Sequence, residues 1–214
     1  MLTVQSFVFS PLQENTYLLY NEEKAACVID PGCYLENEQL KLQNVIEGQG
    51  LLPNFLLNTH CHLDHVFGNQ WFYEKYGKPL HIHPQEERVL QLAPEFGKLW
   101  GMPFENYKGP LLFLQEGDTV KIGEDILRVL FTPGHAPGHI CFYCEAQGFV
   151  ISGDTLFRGS IGRTDLPLGN YNTLIHSIRT RLLILPDDTI IYPGHGGATT
   201  VGEEKRSNPF LSEP

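Results

Sequence analysis

Short apolar runs in this chain lead, four times over, straight into histidine or aspartate. Residues 55–57 precede THCHLDH at 59–65, which holds His60, His62, Asp64 and His65. Residues 126–131 precede TPGHAPGH, with His135. Residues 149–151 precede SGDT, with Asp154, and residues 189–192 precede PGHG, with His195. Runs of this length bounded by turn residues read as buried strands. In mixed α/β sheets, ligands gather where strand carboxyl ends meet loops. The pattern therefore asks for a fold that presents all four ends along one edge. Gly134, Gly153 and Gly194 stand beside the last three and permit sharp turns and close backbone approach.

Imidazole and carboxylate together are the donors of Zn, Fe and Mn sites. In extended backbone His60 and His62, two residues apart, point to one side and can grip one ion. Asp64 and His65 then face elsewhere, which suits a second ion nearby. A polar surface loop rich in histidine is the plainer reading, and the three further strand ends speak against it.

Length and composition narrow the field. The 214 residues suit one domain over 1–214. Hydrophobic residues make up 42% and charged residues 19%, enough for a buried core and too little charge for disorder. A net charge of −10 speaks against nucleic acid, which wants a basic face. No apolar run approaches the ~18 residues of a membrane span. The start, MLTVQSFVFSPLQ, lacks a basic n-region and a small-residue cleavage site. Five scattered cysteines argue against a disulfide framework and for a reducing, cytoplasmic setting. Nothing fixes the oligomeric state.

Periodicity predicts strands over 2–9 and 15–20 around a turn at 10–14, then 25–29, ended by Asp30-Pro31-Gly32. Helices are expected over 35–48, over 66–76, near 85–92 behind Pro84, and over 170–184. Further strands are expected at 80–82, 118–122, 126–131, 140–144, 148–151 and 188–192. Between 93 and 113 the chain reads as irregular and aromatic. It is either a loop packed on the core or a lip over a pocket.

HxHxDH, a histidine after a strand, GDT and PGHG, in that order, resemble the metallo-β-lactamase superfamily. Within it, SGDTLF, IGRTDLP and PGHGGATTVGEEKRSNPF resemble the short bacterial relatives of glyoxalase II, the hydroxyacylglutathione hydrolases. The resemblance spans nearly the whole chain. It implies an α/β (α+β) fold, an αββα sandwich with the site along one edge. It also implies two divalent metal ions, Zn or alternatively Fe or Mn. His60, His62 and His135 would bind one, Asp64, His65 and His195 the other, and Asp154 would bridge them. In β-lactamases a cysteine commonly replaces that aspartate, so Asp154 speaks against lactamase activity.

The implied chemistry follows from charge. Two divalent ions, Asp64, Asp154 and a bridging hydroxide sum to about +1, which attracts an anion. Paired ions supply hydroxide near neutral pH and hold a developing oxyanion. A thiolate, whose acid has a pKa of about 8.5, leaves without a dedicated general acid. The expected substrate is a small anionic thioester such as S-lactoylglutathione. In glyoxalase II a basic residue in the segment matching GRTDLP contacts the glutathione moiety, so Arg163 is the candidate here. Its alternative is a salt bridge with Asp165. Gly197 stands where the family has tyrosine, and the family's long C-terminal helical region has only GEEKRSNPF as its counterpart. Lys205 and Arg206 are therefore candidate substitutes in substrate binding.

A competing reading is a mononuclear-iron persulfide dioxygenase of the same superfamily, which also carries a GRTD segment. The retained ligands of the second ion and PGHG followed by GATT favour the hydrolase. A purely structural metal site is a third, disfavoured because structural zinc sites are closed and usually thiolate-rich. Cys61 is expected to point away from the ions, and His139 to bond locally. His81, His83, Cys141 and Cys144 are expected to be structural.

Overall fold

Apolar residues of the early strands alternate between two destinations. Along β2 (Glu14–Tyr20), Leu18 joins one buried cluster, while Tyr17 and Leu19 join another. Along β3 (Ala25–Ile29), Ala26 and Val28 follow Leu18, and Cys27 and Ile29 follow Leu19. Side chains leave a strand on alternate faces, so strands apolar on both faces must be covered on both. The computed structural model, which describes residues 1–211, shows how.

One sheet has the order β1-β2-β3-β4-β5-β6, with β1 (Thr3–Phe9), β4 (Leu52–Leu57), β5 (Leu80–Ile82) and β6 (Leu111–Phe113). β1 to β3 pair antiparallel, and β3 to β6 pair parallel. The second sheet comes from the later chain: β7 (Thr119–Ile122), β8 (Asp125–Phe131), β9 (Ile140–Cys144), β10 (Phe149–Gly153), β13 (Ile190–Pro193) and β14 (Thr199–Thr200). Its order is β14-β13-β10-β9-β8-β7. A ribbon of β11 (Leu156–Phe157) and β12 (Ser160–Ile161) stands apart.

The sheets face each other across Leu19, Ile29 and Leu57 on one side and Val129, Phe142 and Ile151 on the other. Outside the first sheet lie α1 (Glu36–Gly48), α3 (Asn69–Tyr76) and α4 (Glu87–Leu99), which contribute Leu42, Ile46, Phe72 and Leu90. Outside the second lie α5 (Tyr171–Ser177) and α6 (Val201–Ser207), with Leu174 and Val201 against Cys141 and Val150. The architecture is the expected αββα sandwich. Among the described residues no helix is long and apolar enough to cross a membrane.

Four local expectations need correction. The helix over 66–76 is two pieces, a single turn α2 (Leu63–Val66) inside the histidine loop and then α3. They part at Gly68, whose N–H donates to the carbonyl of Pro31. The helix near 85–92 does not stop there: α4 runs through Pro94 to Leu99. Proline removes the N–H that would bond the carbonyl of Leu90. The Asn106 amide supplies the missing donor to that carbonyl, at 2.7 Å, and the helix continues. Thus the aromatic segment is helical in its first third. The helix over 170–184 is regular only to Ser177 and then widens into a π-type turn, Ile178–Leu182.

The fourth correction is α6, which the sequence reading left without structure. Thr200 caps it by accepting from the N–H of Glu203. Glu204, fully buried, accepts from Thr199 Oγ1 at 2.6 Å, Asn208 Nδ2 at 2.7 Å and the N–H of Gly159 at 2.9 Å. The helix is therefore tied to the β11–β12 ribbon by a carboxylate.

Asn106→Ala leaves the Leu90 carbonyl unpaired inside α4. We expect unfolding in urea to show a loss of about 1–2 kcal/mol. Amide exchange should rise in α4 ahead of the rest of the chain. No change in either would mean that water replaces Asn106 at no cost.

Candidate metal centre

The histidine loop is set by a carboxylate at the end of the neighbouring strand. Asp30 ends β3 in the left-handed region, at φ 51, which aspartate tolerates better than most residues. Its Oδ1 accepts from the N–H of Thr59 at 2.7 Å and from Asn58 Nδ2 at 3.0 Å, and its Oδ2 accepts from Thr59 Oγ1 at 2.6 Å. Asn58 Nδ2 donates as well to the carbonyl of His65, at 2.7 Å. The chain between Asn58 and His65 is thereby closed into one turn before any ion is considered.

Glu86 makes the next tie. It is fully buried and accepts from the N–H of Cys61 and the N–H of Gly138, each at 2.7 Å. Burial pushes its carboxyl up to about 7 against the pull of those two donors. It fastens the loop of His60 and His62 to the loop of His135. His139 makes the third: its Nε2 accepts from the N–H of Asp154 at 3.1 Å, and its Nδ1 lies 3.0 Å from Thr132 Oγ1. As expected, His139 bonds locally.

The imidazoles then confront one another. Nδ1 of His135 lies 2.8 Å from the carbonyl of Arg163, so that nitrogen carries the proton and Nε2 holds a lone pair. Thr59 Oγ1 gives its proton to Asp30, so it accepts from Nδ1 of His60, 3.1 Å away, and Nε2 of His60 is likewise bare. These two bare nitrogens are 3.2 Å apart. Nδ1 of His62 lies 2.8 Å from the same nitrogen of His135. Burial pushes His62 down to about 3 and holds His60 and His135 low as well, so all three are neutral near pH 7. Facing lone pairs repel unless a cation sits between them. Metal–nitrogen lengths of about 2.0–2.1 Å put tetrahedral donors roughly 3.3 Å apart, close to the His60–His135 spacing. The donor set fits a metal ion.

A second group adjoins the first. Nε2 of His195 lies 3.1 Å from Asp64 Oδ2, and Nε2 of His65 lies 3.9 Å from it. Asp154 reaches into both groups: Oδ1 is 3.4 Å from His65 Nε2, and Oδ2 is 3.6 Å from both His135 Nε2 and His195 Nε2. Burial disfavours charge on His65, yet Asp154, Asp64 and Asp30 overcome it and hold its pKa well above the usual value. Both ring nitrogens of His65 and Oδ1 of Asp154 are buried without a hydrogen bond of good geometry, although Nδ1 lies 3.1 Å from Asp30 Oδ2 and Nε2 faces Asp154. Such groups are costly unless something pairs them. All seven predicted ligands are brought together, in groups whose donor atoms lie within 4.8 Å of one another.

β2, a strand of the first sheet, holds the loop of His195 at the end of β13 in the second. The N–H of Asn15 donates to the carbonyl of Gly194 at 2.7 Å, and its side-chain amide donates to the carbonyls of Pro193 and Gly196, each at 2.9 Å. Tyr17 Oη donates to Pro193 at 2.6 Å. Gly194 itself is required by closeness: a Cβ there would overlap Oδ1 of Asp154. Gly153 sits at φ 47 with Thr59 against it, so it too admits no side chain.

Residues 9–195 match the model of the metallo-beta-lactamase superfamily. The chain belongs to that superfamily. Hydroxyacylglutathione hydrolase GloC of Haemophilus influenzae is 40% identical over 213 residues, 99% of each chain. Among solved structures, the BLEG-1 B3 metallo-beta-lactamase superposes with a TM-score of 0.89 at 34% identity, covering 99% of this chain and 100% of that one. TTHA1623, solved in a di-iron-bound form, gives a TM-score of 0.87 at 40% identity, covering 97% and 100%. With its donor set, this member of the superfamily is a metallohydrolase.

A cavity of about 360 Å³ opens over the donors of this superfamily member. Phe96 of α4 and Trp100 just past its end line it, so the aromatic segment does form a wall beside it. Arg163 lines it too, with its Nε and Nη2 each 2.7 Å from the Asp165 carboxylate. The alternative expected for Arg163, the ion pair with Asp165, is present, and the side chain also lines the cavity. Lys205 and Arg206 are a correction. Lys205 pairs with Asp187 and Arg206 with Glu203, and neither lines the cavity. α6 turns Glu204 inward, which leaves these two cations on its outer side.

Sequence reading also missed Asp30, Glu86 and Glu14, the last fully buried against Thr16 Oγ1 and 3.9 Å from His65 Nδ1. A signal existed only for Asp30, because β3, like the ligand-bearing strands, runs straight into a histidine-or-aspartate position. Cys61 is buried in the apolar cluster beneath the first sheet. We expect Cys61→Ser to keep its metal content per chain by elemental analysis. Loss of an ion in that variant would make the thiol a ligand.

Proposed function

We propose that the chain is a dinuclear hydrolase of a small thioester. The observation that carries this reading is Asp154, whose Oδ2 lies 3.6 Å from His135 Nε2 in one donor group and 3.6 Å from His195 Nε2 in the other, with Oδ1 3.4 Å from His65 Nε2. His60, His62 and His135 would hold one ion, Asp64, His65 and His195 the other, and Asp154 both. When bound, two divalent ions supply a water of lowered pKa and an electrophile for a carbonyl oxygen. The chain's part is to keep the imidazoles of His60, His62 and His135 neutral and to fix the donors through Asp30, Glu86 and Arg163's carbonyl. Apart from the donor groups, no carboxyl or imidazole lines the cavity among the described residues, so a leaving group finds no carboxylic acid or imidazolium there to protonate it. Thiolates leave without one, unlike amines or alkoxides. Similarity to a protein named hydroxyacylglutathione hydrolase supports the same choice. Imidazole and carboxylate suit Zn, Fe or Mn, and the di-iron form of TTHA1623 keeps iron beside zinc as the ion to measure.

Elemental analysis of the metal-loaded protein should find about two ions per chain, because seven ligands exceed the set of one. Asp154→Ala should lower both and reduce turnover by about a hundredfold or more. S-lactoylglutathione, other thioesters, β-lactams and a persulfide form the substrate panel. One ion with oxygen consumed on the persulfide would replace this reading with the dioxygenase. β-Lactam turnover above that of every thioester would replace it with the activity named for BLEG-1.

The role of Arg163 is open to a separate test. A substrate carboxylate must displace Asp165 from its fork. Arg163→Ala should therefore lower kcat/KM on S-lactoylglutathione about tenfold, mainly through KM, and affect a neutral thioester less. Equal losses on both would make Arg163 structural.

A further inference from the structure

The walls of the cavity are apolar to a degree that a lactoyl group does not need. Leu92 and Phe96 of α4 and Trp100 just past its end line it, together with Phe157, Ile161 and Leu168. Among the described residues lining it, Arg163 is the one charged group besides the proposed metal ligands, and its donors are turned to Asp165. Trp100 and Leu168 stand at the rim with 45% and 51% of their surface in solvent.

Leu168 supplies an independent observation. Residues 166–169 form a turn in which the N–H of Gly169 donates to the carbonyl of Leu166 at 2.9 Å. Pro167 follows Leu166, and Leu168 has φ 71. That is the pattern of a type II turn, whose third residue is ordinarily glycine. A leucine there strains the backbone and exposes an apolar side chain, and it gains no core contact in return. Strain held at the mouth of a site points to a use for the side chain that causes it.

We propose that the substrate carries an extended apolar group, aliphatic or aromatic, which lies between α4 and the turn 166–169. This rests on the thioester reading and names the substrate class within it. The apolar group is either the acyl chain or a substituent on the thiol, since both offer the same methylenes to the walls. A substrate polar on both sides of the scissile bond would leave these walls unused.

The test varies one side at a time with metal-loaded protein. Thioesters of N-acetylcysteamine from acetyl to octanoyl form one arm. Acetyl thioesters of thiols from ethyl to octyl form the other. On one arm kcat/KM should rise about fourfold per methylene until the cavity is full. Isothermal titration of octanoate and acetate gives a readout apart from turnover, and octanoate should bind tighter by the same increments on the acyl arm. Leu168→Gly removes the side chain and suits the turn, so its Tm should not fall. Its ratio of longest to shortest substrate should drop about five- to tenfold. Turnover of thioesters with no gain along either arm overturns the inference and leaves the thioester reading standing. An unchanged ratio in Leu168→Gly also overturns it. No thioester turnover at all, with octanoate still preferred over acetate, removes the thioester reading and leaves the apolar pocket.

Discussion

His60 and His135 aim unprotonated nitrogens at each other across 3.2 Å, with His62 closer still to the same atom. Out of water, such groups repel, and carboxylates beside them add to the cost. The surrounding structure is arranged to resist that repulsion. Asp30 ties the start of the histidine loop through Thr59 and Asn58. Glu86 joins it to the loop of His135, and Asn15 and Tyr17 hold the loop of His195 from the other sheet. Each tie uses a buried acceptor or donor whose partner is mostly backbone. Side-chain geometry is thus fixed by the main chain, which is the stiffer part.

The ligands were legible in the sequence because their spacing is local. His60 and His62 share a side by the period of extended chain, and each later ligand follows a recognisable strand. The sandwich itself needed the resemblance, since strand and helix alternation alone fits several α/β arrangements. What sequence could not give depends on partners far along the chain. Glu86 meets Gly138 across fifty-two residues. The helix expected near 85–92 runs on through Pro94 because the donor that replaces the proline's N–H, Asn106, lies far outside it. Lys205 and Arg206 looked available for substrate because their counter-charges, Asp187 and Glu203, could be assigned only once α6 was seen to exist.

Charge is distributed in a way composition does not reveal. The chain carries −10, yet its cavity is walled by leucine and aromatic side chains and its acids are gathered at the base. The surface charge favours solubility, while the pocket is a low-dielectric space in which the donors act at full strength. Orientation of a bound molecule would come from the few polar groups at the base, and affinity from the walls.

Each sheet is built from its own half of the chain, β1 to β6 from residues 3–113 and the other from residues 119–200. His60, His62, Asp64 and His65 belong to the first half, and His135, Asp154 and His195 to the second. Both donor groups therefore straddle the seam. An ion in either would act as a rivet through two plates, loaded in shear whenever the sheets slide. Neither half alone keeps a full set of donors, so the plates could not part without releasing the ions.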